Sequence, residues 1–246
     1  MGQESYKGYL LATAGSVAAA ANAGSAHAAP PAPPVPAPPA ASWAGWYVGL
    51  NAGVNWQLAT NANILGKSNG TADTTATGFI GGGQIGYNWQ DGNFVFGLEG
   101  DIDGLTGTGK SLNKFINDSP PESKSYSNRI SWLSTIRART GLAVGNTMAY
   151  ATGGLALGGV KNSWTTTFSS TPFPNKSESR TRVGWAFGGG LEHILWNSNW
   201  TVGLEGLFVD LGRGSATGVP HPDGFFKTAN FSNQAIIGRF RLNYKF

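Results

Sequence analysis

The chain has 246 residues, of which only 12% are charged and 37 are glycine. Soluble globular proteins carry about 25% charged residues and about 7% glycine, so this composition is unusual for that class. The absence of cysteine excludes disulfides, cysteine-ligated zinc and a thiol nucleophile. The formal net charge is +4, but the 17 lysines and arginines are scattered without a basic run, and we predict no nucleic-acid partner.

The N-terminus is typical of an exported protein. Residues 9–28 are rich in alanine, follow a single lysine and end in the small-x-small sequence Ala-His-Ala. This pattern resembles a secretory signal peptide at residues 1–28, with cleavage before Ala29. A membrane-spanning helix is the alternative, but polar residues interrupt the apolar stretch before about 18 residues accumulate.

Residues 29–42 form a segment of proline and alanine that contains seven of the thirteen prolines of the chain. Proline cannot pair within a sheet and favours extended polyproline II, so we expect a spacer here. A proline-rich binding motif is the alternative. The remaining domain, residues 43–246, has a different pattern.

Eight segments of this domain alternate apolar residues with small or polar ones at period 2, which predicts β-strands. They are residues 46–56, 78–89, 94–103, 130–144, 148–160, 182–194, 200–211 and 238–246. Soluble strands have about 5 to 6 residues, and these are longer. Short turns rich in Gly, Asn and Asp join three pairs, at residues 90–93, 145–146 and 197–199. The segments between the other pairs are long and polar, so we predict an eight-stranded antiparallel up-and-down barrel with short turns at one end and long loops at the other.

The two faces of these strands differ in chemistry. The apolar face carries large side chains, among them Trp46, Trp56, Trp89, Ile130, Trp132, Leu155, Leu157, Trp200 and Phe246. The polar face carries four acidic and four basic residues, namely Glu99, Asp101, Arg137, Arg139, Glu192, Glu205, Arg239 and Arg241.

Opposite charges can share a narrow barrel interior if they neutralise one another, so we predict a charge network in the lumen. The apolar face would then point outward all round, which is unfavourable in water and required in lipid. A transmembrane barrel follows. The alternative places the aromatic residues inside a soluble, lipocalin-like carrier.

A weak internal repeat accompanies the alternation. GLEG occurs at residues 97–100 and 203–206, and Arg-x-Arg at residues 137–139 and 239–241. These spacings suggest two related four-strand halves, although chance is the alternative in a chain so rich in glycine. The repeat gives Tyr150 the same position as Tyr47.

Five blocks carry a resemblance to a known family, in the order WAGWYVGLNAG, YATGGLALG, GWAFGGGLEH, GLEGLFVDLG and LNYKF. Together they resemble the small opacity-like outer-membrane porin family, which includes proteins called outer membrane immunogenic protein. The resemblance extends from Trp43 to Phe246. It implies an eight-stranded barrel in the outer membrane of a Gram-negative bacterium, surrounded by lipid and inserted by the barrel assembly machinery. It also implies that Phe246 is similar to the C-terminal aromatic signal of that machinery.

Motifs for catalysis are weak. The GGGQIG sequence at residues 81–86 fits a dinucleotide-binding pattern, but it continues at period 2 instead of opening a helix. His193 is expected on the outward face near a short turn, without a serine or carboxylate tied to it by a motif. We therefore predict no enzyme activity and no catalytic, metal or cofactor site.

Two kinds of function remain open for the barrel. It is either a structural outer-membrane protein or a narrow, porin-like path for small solutes, since eight strands enclose a space that side chains can fill. Alternatively, the long loops, which are rich in lysine, serine and threonine, bind a ligand at the cell surface. Some members of the resembled family are credited with binding haemin or host surfaces, and His221 is the first candidate loop ligand.

Overall fold

The computed structural model describes residues 42–63, 71–115, 122–168, 171–172, 176–196, 198–220 and 226–246. The predicted signal peptide, the predicted spacer as far as residue 41, and His221 lie outside these residues. None of the described residues belongs to a helix long and apolar enough to cross a membrane.

The described residues form one antiparallel sheet of ten strands. The strands are β1 (Gly45–Asn63), β2 (Thr71–Asp91), β3 (Phe94–Leu105), β4 (Gly109–Phe115), β5 (Glu122–Val144), β6 (Thr147–Phe168), β7 (Thr171–Pro172), β8 (Lys176–Ile194), β9 (Trp200–Pro220) and β10 (Phe226–Lys245). β3 and β4 both pair with β5 and so share one position in the sheet. β7 has two residues and pairs only with the end of β6.

Eight strand positions therefore follow one another around the molecule, in the order β1, β2, β3, β5, β6, β8, β9 and β10. The last strand pairs with the first, from Tyr47 opposite Lys245 to Asn63 opposite Ala229, and this pairing closes the sheet into a barrel. The predicted eight-stranded antiparallel barrel, with its first strand against its last, is confirmed.

Glycine in the left-handed region forms two of the short turns. Gly92 has a φ of 57° between β2 and β3, and Gly145 has a φ of 59° between β5 and β6. Positive φ at a two-residue turn matches the twist of the flanking strands, and glycine adopts it without a steric cost. The third short connection joins Ile194 to Trp200 and contains Trp196, which is 88% exposed.

The long connections are shorter than the sequence predicts, because the strands continue well beyond the apolar alternation. β1 extends to Asn63 and β2 begins at Thr71, although residues 57–77 were expected to be a loop. β5 begins at Glu122 and β6 continues to Phe168 in the same way. Backbone pairing needs no apolar face, and Thr and Ser suit strands, so the ladder continues where the hydrophobic signal stops.

The outward face is apolar, as predicted, with one exception. Leu155 and Leu157 point outward and are 64% and 38% exposed. Ile130 was predicted to share the outward face with Trp132, but it is only 1% exposed and lies inside the barrel. A β-bulge between Ile130 and Trp132 shifts the register of β5 against β6. One extra residue in a strand reverses the alternation beyond it, and the sequence alone gives no sign of this shift.

Aromatic side chains gather at two levels of the outward face. Near the short turns, Tyr87 packs against Trp46 and Trp89 at ring distances of 5.2 and 4.8 Å. Ten residues further along β1, Trp56 marks the second level. At about 3.4 Å per residue and a tilt of about 40°, the two levels lie about 26 Å apart, close to the apolar height of a transmembrane barrel.

Candidate functional site

The candidate site is the barrel interior, which side chains fill in four layers. The layers follow one another from the short-turn end, where β2 meets β3 and β5 meets β6, to the opposite long-loop end. An apolar layer comes first, followed by a charged layer, a second apolar layer and a ring of amides. Each layer consists of inward-facing residues that alternate with the outward apolar residues of the same strands.

Trp43 closes the short-turn end. It precedes β1, is 1% exposed and clusters with Val95, Ala143, Met148 and Ile194. Polar groups at the ends of β2 hold its backbone: the Trp43 amide donates to Gln90 Oε1 at 2.6 Å, and Asn88 Nδ2 donates to the Trp43 carbonyl at 3.2 Å. Trp43 and these apolar residues therefore form the first layer of the interior.

All eight residues of the predicted lumen charge network lie in the second layer, each with no more than 5% of its surface exposed. Asp103, 2% exposed, is a ninth member that the prediction omitted. Five carboxylates therefore face four guanidinium groups at this level. Two tyrosines, Tyr47 and Tyr150, complete the layer.

Glu99 organises the half of the network that belongs to β1–β5. Its Oε2 accepts a hydrogen bond from the Tyr47 hydroxyl at 2.6 Å, and its Oε1 accepts from Arg137 Nη2 at 2.6 Å. Arg139 Nη1 donates to the Tyr47 hydroxyl at 3.0 Å. The hydroxyl thus passes a hydrogen bond from an arginine to a carboxylate.

Glu205 repeats this arrangement in the half formed by β6–β10. Its Oε2 accepts from the Tyr150 hydroxyl at 2.7 Å, and its Oε1 accepts from Arg239 Nε at 2.9 Å. Arg241 Nη1 donates to the Tyr150 hydroxyl at 2.7 Å. The internal repeat in the sequence therefore corresponds to a repeated side-chain constellation.

Other pairs cross from one half to the other. Arg239 donates to Asp103 at 2.8 Å and to Asp101 at 2.9 Å. Arg241 donates to Glu99. The guanidinium of Arg139 lies 4.2 Å from the centre of the Tyr150 ring, within the range of a cation–π contact. Arg139, Arg239 and Arg241 therefore contact residues of both halves. Arg137 Nη1 lies 3.4 Å from Glu205 Oε1 of the other half.

Glycines give the two tyrosine rings their space. A Cβ on Gly86 would overlap the Tyr47 ring. A Cβ on Gly190 would overlap the Leu204 carbonyl oxygen and would also lie 2.7 Å from the Tyr150 hydroxyl. Gly86 belongs to the GGGQIG sequence, which lies within β2 and does not begin a helix. These glycines let large side chains from neighbouring strands enter a narrow lumen.

A second apolar layer lies between the charges and the long-loop end. It contains Ile80, Leu105, Ile130, Leu133, Ala156, Val160, Ala186, Leu207, Val209, Leu211, Ala235 and Ile237, all nearly unexposed. The alternation of apolar and polar residues does not predict this layer, because the inward positions at these strand ends are apolar as well. Their only sequence signal is an apolar residue on both faces, as in the Leu207–Leu211 stretch.

Amide side chains form the fourth layer and link strands across the lumen. Gln57 of β1 accepts from the Ile130 amide of β5 at 2.8 Å. Asn128 of β5 donates to Asn162 at 2.5 Å and to Asn233 of β10 at 2.8 Å. Strands β1 and β5, like β5 and β10, are not neighbours in the sheet, so these bonds span the interior.

The remaining predicted residues lie at the barrel rim. His193 points outward near a short turn, with its Nδ1 2.9 Å from Thr147 Oγ1. Phe246 is 73% exposed, its amide donates to the Trp46 carbonyl at 3.0 Å, and its ring packs edge-on against Tyr244 at 5.4 Å. His221 lies outside the described residues.

Comparison with known proteins agrees with this architecture. Residues 9–246 match the family described as outer membrane protein beta-barrel domain. The chain is 35% identical over 212 residues to the 31 kDa outer-membrane immunogenic protein of Brucella melitensis, covering 81% of this chain and 82% of that protein. It is 34% identical over 131 residues to the 22 kDa outer membrane protein of Rhizobium leguminosarum, covering 52% of each.

Among solved structures, the outer membrane protein OprG of Pseudomonas aeruginosa is similar with a TM-score of 0.47 and 13% identity, over 82% of this chain and 97% of that chain. The description of the matching family agrees with the closed antiparallel barrel. The chain therefore belongs to the outer membrane protein β-barrel family and resides in the outer membrane of a Gram-negative bacterium.

Proposed function

We propose that the protein is a structural barrel of the outer membrane whose lumen is closed to solutes. The observation that carries this proposal is the layered interior, in which the charged residues are almost unexposed and lie between two apolar layers. A solute that crossed the lumen would have to displace Trp43, separate the ion pairs and pass the second apolar layer.

The charged layer favours closure over a porin-like path. Arg239 Nη2 lies 2.9 Å from Asp101 Oδ2 and 2.7 Å from Glu205 Oε1, and all three side chains are 0% exposed. Breaking one partner from such a buried pair costs about 3–5 kcal/mol, because the other charge is left without compensation. Spontaneous opening at this layer is therefore rare, and the network acts as a brace between strands that are not neighbours.

Planar-bilayer conductance tests closure against the narrow-pore hypothesis. Folded protein, identified by its heat-modifiable mobility on gels, is expected to give no channel events. Trp43→Ala removes only the first of the layers and is expected to be silent as well. Trp196→Ala, which alters an exposed tryptophan at the same end, is the matched control.

Regular stepwise conductance from the wild-type protein would contradict the closed barrel. If Arg137→Ala or Arg239→Ala then altered the size of those steps, the charged layer would be the selectivity gate of a narrow pore.

Recognition at the cell surface is a second candidate function. The Brucella melitensis relative is named an immunogenic protein of the outer membrane, and a rigid scaffold that presents loops is a common arrangement for binding. Haemin is the ligand to test first, because the sequence predicts that His221 lies in a loop and histidine can ligate iron. Unchanged haemin binding by His221→Ala, measured by absorbance titration, would remove that role.

Export completes the proposal. Residues 1–28 are proposed to be a signal peptide and residues 29–42 a spacer that precedes the barrel. N-terminal sequencing of protein purified from outer membranes is expected to begin at Ala29.

A further inference from the structure

Three cations lie together on the outward face, at the long-loop end of the barrel. They are Lys110 of β4, Arg129 of β5 and Lys161 of β6, and all three are exposed. β4, β5 and β6 are consecutive neighbours in the sheet, with Lys110 opposite Ser127 and Arg129 opposite Lys161. We call these three residues the basic patch.

The register places two of these charges in direct opposition. Cross-strand partners have Cβ atoms about 4.5–5.5 Å apart, and like charges at such positions destabilise the sheet. The ion pairs between described side chains all belong to the charged layer of the lumen, and none includes a residue of the patch. Asp210, the outward carboxylate of β9, lies two strands beyond β6 and already accepts from Gln234 at 2.9 Å. The repulsion between Arg129 and Lys161 is therefore uncompensated within the described protein.

The patch lies at the height of lipid headgroups. Trp132 of β5 is an exposed outward tryptophan, a side chain typical of the membrane interface. Because of the β-bulge, the partners of Trp132 and Arg129 on β6, Gly159 and Lys161, are only two residues apart. At about 3.3 Å per residue and a tilt of about 40°, the patch is about 5 Å beyond Trp132, outside the hydrocarbon. Short turns of outer-membrane barrels face the periplasm, so the patch belongs to the outer leaflet.

Apolar surface continues from the patch toward the membrane centre. Trp132, Leu157, Leu155 and Ile136 form this surface on β5 and β6, and they are between 36% and 65% exposed. A ligand that fits both parts has a negative headgroup and acyl chains directly below it. Phosphate is the anion that two adjacent cations bind well, through charge-assisted hydrogen bonds.

We propose that the basic patch of Lys110, Arg129 and Lys161 binds the phosphate groups of a phosphorylated lipid in the outer leaflet. The phosphate lies between Arg129 and Lys161 and relieves their repulsion, Lys110 contributes the third cation, and the acyl chains lie along Trp132 and Leu157. The barrel thereby recruits a defined lipid to one side of its circumference.

Native mass spectrometry of the refolded protein tests this proposal, with lipid A and its dephosphorylated form as probes. The wild-type protein is expected to retain lipid A and release the dephosphorylated lipid. Each cation near an anionic surface contributes about fivefold in affinity, so Arg129→Gln with Lys161→Gln is expected to weaken lipid A binding about 25-fold. Arg213→Gln, which removes an exposed charge at the same end of the barrel on β9, is the matched control.

The urea midpoint of Lys161→Gln gives a second readout, because its difference from the wild-type midpoint is expected to change sign when lipid A is added. Without phosphorylated lipid, Lys161→Gln is expected to raise the urea midpoint of unfolding slightly, because it removes the opposed charge. With lipid A present, the same variant is expected to have a lower midpoint than the wild-type protein.

Equal binding of lipid A and its dephosphorylated form, an unaffected double variant, or an equal loss in Arg213→Gln would overturn the proposal. Millimolar orthophosphate could also displace bound lipid A from the wild-type protein as effectively as free lipid A does. The patch would then be a general anion site, and this result would also overturn the proposal. None of these outcomes bears on bilayer conductance, so closure of the lumen is tested separately.

Discussion

The two halves of the barrel, β1–β5 and β6–β10, repeat one constellation and differ in what surrounds it. In each half a tyrosine donates to a glutamate and accepts from an arginine: Tyr47, Glu99 and Arg139 in the first, Tyr150, Glu205 and Arg241 in the second. The equivalence between β3 and β9, however, aligns Asp101 with Leu207 and Asp103 with Val209. The first half therefore has extra carboxylates where the second half has apolar side chains.

This difference binds the halves together. Asp101 accepts from Arg137 of its own half at 2.8 Å, and both Asp101 and Asp103 accept from Arg239 of the other half. Leu207 and Val209 belong to the second apolar layer, between the charges and the long-loop end. The repeated residues thus form the constellation within each half. The residues that differ between the halves form ion pairs with the other half and contribute to the second apolar layer.

Removing Arg239 tests the contact between the halves and has the largest expected effect. Arg239→Met leaves Asp101, Asp103 and Glu205 with fewer counter-charges, and we expect a loss of about 3–5 kcal/mol in the free energy of unfolding. The measurement is urea unfolding in lipid vesicles, followed by heat-modifiable gel mobility.

Arg139→Met is the matched comparison for Arg239→Met. Arg139 lies 3.2 Å from Glu192 and 3.5 Å from Glu99, and two of its nitrogens have no hydrogen-bond partner within the described protein. Its removal is expected to cost at least about 1 kcal/mol less than that of Arg239. Equal losses from the two variants would show that the short hydrogen-bonded pairs of Arg239 carry no more weight than the longer contacts of Arg139.

Adding a methyl group at the glycines beneath the tyrosines tests whether the repeat is structural. Gly86→Ala and Gly190→Ala would each crowd a tyrosine ring, and overpacking costs about 1–3 kcal/mol. Gly206→Ala is the control, since a Cβ there meets no atom within 4 Å, and its effect is expected to stay within about 0.5 kcal/mol. Because a Cβ on Gly190 also meets the Leu204 carbonyl oxygen, Gly190→Ala is expected to cost more than Gly86→Ala. A harmless Gly86→Ala would contradict the crowding of the Tyr47 ring.

Removing the hydroxyls gives the smallest effect and the finest comparison. Tyr47→Phe and Tyr150→Phe each delete one bond to a glutamate and one from an arginine, but the charged pair remains. We expect each to lose about 1 kcal/mol of unfolding free energy, at the low end for a buried group left with fewer partners. A difference above about 1 kcal/mol between them, measured in the same urea titration, would argue against a repeated constellation.

Much of the fold followed from local rules. A strand places successive side chains on opposite faces, so the alternation around Glu99, Arg137 and Arg239 is enough to assign these residues to one face together. The short turns at Gly92 and Gly145 were also predicted, because a tight hairpin needs positive φ and glycine adopts it readily. The same rules failed at Ile130, where a bulge adds one residue and reverses the face.

The sequence by itself determined the number of strands, their short turns, the apolar band and the face on which each charge lies, because these depend on residues close together in the chain. Only the tertiary structure decided that Arg239 pairs with Asp101 and Asp103, that Gln57 reaches β5, and that apolar layers enclose the charges. Those contacts join strands that are distant in the chain, and they depend on the register at which the sheet closes, which local alternation does not fix.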